Sequence, residues 1–194
     1  LEAADLVIGE INTQTPYTHG DTFAHISEFD LLVEATEPPL YFPRWPVDDV
    51  FDRIAANVAS LVEDGSCLAF SIGPIYEALS SHLSHKRNLG IHTPFLTDAV
   101  MRLVQSGAVT NRRKELFRGK CISAYAIGTK KLMSWRHRNP LVEFQGIDVG
   151  QRIIVEWEFV GKRMRARQIA EAIKIPIMTY NIPAHSGIDL TPPL

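Results

Sequence analysis

The stretch CLAFSIGPIYEAL, residues 67–79, decides how this chain is read. Its first six residues, CLAFSI, form a continuous apolar run of strand length, the pattern of a strand covered on both faces. Gly73-Pro74 then turns the chain, and Ile75, Leu79 and Leu83 recur at helical spacing. The period changes from sheet to helix across one glycine.

Working outward, the unit repeats in kind. LGIH (89–92) precedes a helix expected from Pro94 to about Ser106, CISAYAI (121–127) precedes one from Thr129 to about His137, and LVEFQGI (141–147) supplies a last strand. In HTPFLTDAVMRLVQSG, Thr93 is placed as N-cap, Pro94 as first helical residue and Gly107 as the left-handed residue past the end. Upstream, Val47, Val50, Phe51, Ile54, Val58 and Leu61 mark a helix whose first turns hold Asp48, Asp49 and Asp52, where the macrodipole favours anions. That helix stops at Asp64-Gly65. Leu6–Asn12 and Phe29–Ala35 are two further β-prone runs flanking the polar THGDTFAHISEFD. Between them and the first helix, TEPPLYFPRWP packs prolines too densely for a helix or central strand, so a linker or subdomain boundary is expected there.

Strands alternating with helices, each strand apolar on both faces, predict an α/β fold: a mostly parallel sheet flanked by helices. Right-handed crossovers bring the strand-to-helix corners to one sheet edge, and ligands of open α/β sheets bind at that carboxyl edge. The corners expected there are Gly73-Pro74, His92-Thr93-Pro94 and Gly128-Thr129. Glycine permits close backbone approach, and helix starts offer free N–H groups to phosphate or carboxylate.

With 194 residues, 45% hydrophobic and 22% charged, the chain can bury one ordinary core or two small ones. A net charge of −2 provides no global attraction to nucleic acid or anionic membrane. The sequence has no long apolar run for a membrane span and no signal-like start, so a cytoplasmic location is expected. Cys67 and Cys121 sit inside apolar runs and read as two reduced, buried thiols. The chain begins at Leu1, already inside an apolar pattern, which reads as a fragment of something longer.

The runs DGSCLAFSIGPIYEALSSHL, NLGIHTPFLTDAVMRLVQSGAVTNRRKELFRGK and AYAIGTKKLMSWRHRNPLVEF, with the upstream VIGEINTQTPYTHGDTFAHISEFDLLVEATEPP, resemble the acetyl-CoA hydrolase/CoA-transferase family. The resemblance spans roughly residues 4–148 with its motifs in the family's order. It implies that 1–46 is the end of a first CoA-transferase domain with its linker and 47–150 the start of a second. Residues 151–194 depart from the family pattern and stay unassigned. It also implies a CoA-transferase-like fold, partial in extent, with coenzyme A as substrate and no other cofactor. The expected partners are an acyl-CoA and a small carboxylate, with no nucleic acid or membrane, in a homo-oligomer or a longer chain with further domains.

In that family the residue after the GIHT threonine is normally a glutamate, which attacks the acyl-CoA carbonyl and forms a glutamyl-CoA thioester, with backbone donors holding the oxyanion. Here the position is Pro94, which offers neither nucleophile nor acid. A branch of the family, often fused to an acetyltransferase-like domain, resembles this chain in carrying HTPF. Two carboxylates stand nearby. Asp98 leans back toward its helix start and Glu77 lies near the start of the preceding helix; each is open to two readings, substitute nucleophile or helix-start aspartate and glutamate. The resemblance therefore implies CoA transfer or acyl-CoA hydrolysis, or else a CoA-binding or interaction module that has lost catalysis.

Other constellations carry less. His82 and His85 have a metal-ligating spacing but no third ligand nearby, so a solvated helix end is expected and no metal is assigned. His19, Asp21 and His25 lie in a loop that the resemblance places near the active site. NRRKELFRGK (111–120) reads as a solvated basic surface, with a role on the CoA phosphates as the alternative. In 151–194, Lys162, Arg163, Arg165 and Arg167 lie on a basic amphipathic pattern.

Overall fold

The fold is described from a computed structural model covering residues 4–147 and 149. Two sheets are present among these residues, and every pairing in both is parallel. Strands β1 (Ile8–Asn12) and β3 (Leu31–Ala35) form a two-stranded sheet. The larger sheet runs β2-β7-β6-β5-β4, from β2 (His19–Gly20), β4 (Cys67–Leu68), β5 (Gly90–Leu96), β6 (Cys121–Ala126) and β7 (Val142–Phe144). Four helices accompany the strands: α1 (Asp49–Leu61), α2 (Pro74–His82), α3 (Asp98–Gln105) and α4 (Lys130–Arg136). The four strands expected after residue 66 thus share one parallel sheet, as strands apolar on both faces require.

The core forms around β5 and α3. Ile91 and Leu96 of β5 are fully buried, as are Val100 and Leu103 of α3, with Phe70, Leu83, Leu89 and Leu132 packed against them. Helix α1 begins where the acidic run placed it: the Asp48 carboxylate accepts from the N–H groups of Val50 and Phe51 at 3.0 and 2.9 Å. Residues 36–48 carry no helix or strand. Ile8, Ile11, Leu31 and Val33 of the small sheet remain exposed, although β2 from the same region is paired with β7.

The passage from β5 to α3 differs from the sequence expectation. Pro94 does not open a helix and Thr93 does not cap one: β5 continues to Leu96, Thr97 is the N-cap and α3 starts at Asp98. The Thr93 hydroxyl is already committed, accepting from the Phe70 N–H at 2.9 Å and donating to the Phe70 carbonyl. It replaces the ladder that β4, only two residues long, no longer supplies. On its other side β5 is registered on β6 through Thr93↔Ser123, Phe95↔Tyr125 and Leu96↔Ala126, with Pro94 passed over. A proline without an N–H is tolerated where a strand has lost one neighbour. Gly107 does follow the helix end, at φ +81°. The last strand is confined to Val142–Phe144.

Two smaller expectations also change. Only Cys121 is fully buried while Cys67 is half-buried, and neither forms a disulfide. The basic run 111–120 is not simply a surface, because Asn111 and Lys114 within it are buried. The segment 151–194, with its basic pattern, lies outside the described residues.

Candidate active site

Because β4, β5 and β6 are adjacent and parallel, their carboxyl ends lie side by side, and α2, α3 and α4 start from that edge. The first corner is the predicted Gly73-Pro74. Gly73 is the N-cap of α2 at φ +124°, and a Cβ there would meet nothing within 4 Å, so its backbone conformation rather than lack of space calls for glycine. The second corner is Thr97-Asp98. His92, Thr93 and Pro94 lie before it, inside β5.

The third corner, Gly128-Thr129, is fastened to the second. Asp98 is buried, and its carboxylate accepts from the Thr129 N–H at 2.9 Å and the Thr129 hydroxyl at 2.6 Å. The Thr129 oxygen in turn accepts from the Leu132 N–H at 3.3 Å, capping α4. A Cβ on Gly128 would overlap the Asp98 carboxylate and stand 2.8 Å from the Leu132 side chain. Gly128→Ala is therefore expected to lower stability by about 1–3 kcal/mol, the usual cost of overpacking, seen as a lower urea midpoint at unchanged m-value.

Glu77, on the first turn of α2, is 2% exposed and lies between two guanidiniums. It accepts from Arg44 Nε and Nη2 at 3.1 and 2.9 Å and is paired with Arg102 Nη2 at 2.8 Å. Burial pushes its carboxyl above the usual range, against the pull of Arg44. Both carboxylates at this edge are thus engaged, Asp98 by Thr129 and Glu77 by arginine.

His92 is buried, with Phe117 edge-on to its ring at 6.2 Å. Strand alternation puts it on the same face of β5 as Pro94, which is half-buried. Its Nε2 has no hydrogen-bond partner among the described residues. Burial, assisted by the nearby Lys114 charge, brings its pKa down to about 4, against a hydrogen bond to the Val149 backbone, so the ring is neutral near pH 7. Lys114 donates to the carbonyls of Ile91 and Lys120 at 2.8 and 2.7 Å, and Lys120 pairs with Glu143 at 3.0 Å. In that run Arg112, Arg113 and Arg118 stay exposed.

His82 Nε2 meets Asp52 Oδ1 at 2.8 Å, His85 is exposed, and His25 caps a single 3-10 turn, Ile26–Glu28. His19 is edge-on to Tyr17 and Asp21 is exposed. No group of three His, Cys, Asp or Glu side chains that could hold a metal occurs among the described residues. Sequence reasoning missed Arg44, Arg102 and Thr97. Thr97 is buried at the corner, and its hydroxyl neither caps α3 nor finds another partner among the described residues. A threonine before Asp98 was the available signal for a later helix start. The arginines had none, because their partner is distant in sequence.

No family model matches the chain. It is 43% identical over 147 residues to a 4-hydroxybutyrate coenzyme A transferase of Clostridium kluyveri, an alignment covering 76% of this chain and 34% of that protein. It is 38% identical to a succinyl-CoA:cyclohexane-1-carboxylate CoA transferase of Geobacter metallireducens, with the same coverages of 76% and 34%. Among solved structures, a 4-hydroxybutyrate CoA-transferase of Porphyromonas gingivalis superposes with a TM-score of 0.72 at 35% identity, covering 76% of this chain and 38% of that one. The match spans about a third of the length of the curated relatives. With the parallel sheet and its helices in the arrangement of those solved relatives, the chain belongs to the CoA-transferase family.

Proposed function

We propose that this chain is part of an acyl-CoA-handling protein that moves CoA between acetyl-CoA, or a similar short acyl-CoA, and a carboxylate, or hydrolyses the thioester. The observation that carries this reading is the convergence of three strand-to-helix corners on one edge of a sheet shared with named CoA-transferases. Gly73, Pro74, His92, Thr93, Pro94, Gly128 and Thr129 are the residues proposed to line the CoA site, joined by Thr97 at the corner the structure moves. In this reading 1–46 closes a first CoA-transferase domain and 47–150 opens a second. No described helix is long and apolar enough to cross a membrane, which fits the proposed cytoplasmic setting.

A second reading has a specific observation in its favour. Pro94 stands where the family resemblance expects the nucleophile, and the two nearby carboxylates are already bound to other groups. The chain would then bind CoA without transferring it. Titration calorimetry with CoA tests what the readings share, and exchange of labelled acetate into acetyl-CoA separates them. Heat saturating with CoA is expected, together with a loss of affinity on Gly73→Val, since the side chain strains a backbone at φ +124°. A folded Gly73→Val chain binding CoA as tightly as the parent would remove this edge from the site.

A further inference from the structure

The proline-rich segment before α1 touches the candidate site at two places. The Phe42 N–H donates to the Gly128 carbonyl at 2.9 Å, just after β6. Two residues later Arg44 reaches Glu77 on α2, the helix that follows β4. Strand β5 lies between β6 and β4. Neighbouring strands stand about 4.8 Å apart, so the gap from β6 to β4 is about 10 Å, a span that a short piece of extended chain plus an arginine side chain covers. Residues 42–44 therefore link the corner after β6 to the first turn of α2, the helix after β4, and β5 is the strand between those two.

Two carboxylates and two guanidiniums gather beside this strap. Glu77 is shared by Arg44 and Arg102, while Asp98 accepts from the neutral Thr129 and its charge is still felt at Glu77. Of the two guanidiniums Arg44 is the one open to a ligand, its side chain 50% exposed against 27% for Arg102. Glu77 takes the Nε and Nη2 side of Arg44 through a single oxygen, Oε2. The other edge of the fork, Nη1 with the second N–H of Nη2, has no partner among the described residues. Such an edge fits the two oxygens of a carboxylate, and the contact with Glu77 fixes the fork in advance.

We propose that Arg44 is the carboxylate-binding residue of this site, holding the small organic acid that exchanges CoA above the end of β5. The inference rests on the CoA-handling reading and gives its acceptor a place. Arg44 binds and positions the acid and takes no part in bond making. Glu77 and Arg102 act through Arg44 by fixing its direction.

The test compares butyrate with its uncharged analogue butyramide as probes, using ligand-observed NMR titrations of the full chain saturated with CoA, with CoA affinity measured in parallel by calorimetry. The parent is expected to prefer butyrate, and Arg44→Gln to lower butyrate affinity by about tenfold or more, the scale of a charge-assisted pair, while butyramide and CoA affinities hold. Arg44→Lys should keep part of the preference, because charge survives and the fork does not. A preference that persists in Arg44→Gln, or a parent that binds CoA but shows no preference for butyrate, overturns the assignment. So does an equal loss of CoA affinity, which would make Arg44 a CoA contact or a purely structural strap. A parent that binds no CoA would overturn the underlying reading as well, so the two failures are distinguishable.

Discussion

Acidification from neutral pH to about pH 4 is expected to remove roughly 3 kcal/mol of folding stability through His92 alone. The folded pKa is about 4 against an ordinary 6.5, first because burial disfavours the imidazolium and second because Lys114 is close. The unfolded chain takes up its proton near pH 6.5, whereas the folded chain resists until about pH 4. Between those values the unfolded state binds more protons. The contribution is therefore fully present above pH 6.5, falls as pH drops and levels off below about 4. Because Glu77 and other groups titrate too, the measurement is a difference: urea midpoints of the parent and of His92→Leu across this range. The parent should weaken steeply toward acid and the variant less, the gap closing by roughly 3 kcal/mol. Parallel curves would mean that His92 is protonated in the folded chain near its ordinary pKa.

The second large effect is a gain. Pro94→Glu, made in the full-length context, is expected to form a glutamyl-CoA thioester at position 94, where proline has no carboxylate to form one. The structure alters the reason for tolerance: Pro94 lies in β5 rather than in a first helical turn, so glutamate would restore an N–H to the strand and project on the His92 face. The site is half-buried and beyond the end of β4, where a strand accepts a polar residue at modest cost. Attack balances simply. The carboxylate oxygen adds to the acyl carbonyl, CoA leaves as thiolate and then attacks the mixed anhydride, which releases the free acid and leaves CoA on the glutamate. Misplacement by about 1 Å can cost on the order of a hundredfold in rate, so the sensitive readout is adduct mass after incubation with acetyl-CoA, with borohydride trapping. A folded, CoA-binding variant without adduct would show that the surrounding donors have diverged along with the nucleophile, and would favour the binding-only reading.

These predictions use different kinds of information. The apolar run CLAFSI followed by helical spacing after Gly73 was enough to place a strand, a turn and α2, and the same logic put β5, β6 and β7 in one parallel sheet. Asp48 and Thr129 were legible as helix starts because capping is a local exchange between a side chain and N–H groups a few residues on. The boundary between β5 and α3 was not legible in this way. TPFLTDAV satisfies helix-start rules at Thr93 and again at Thr97, and local chemistry does not rank the two.

What the sequence determined by itself is the set of buried faces, since periods of two and 3.6 residues record which side chains leave water wherever partners lie. Tertiary structure decided where those periods stop and which charges meet. Thr93 stays in the strand because Phe70, 23 residues away, occupies its hydroxyl, and the Pro94 carbonyl accepts from Ser123, 29 residues on. Arg44 reads as one basic residue in a proline-rich linker until Glu77, 33 positions later, folds beneath it. Hydrogen bonds and ion pairs act over a few ångströms of space and carry no period along the chain, so these pairings took shape only when the sheet edge brought their members together.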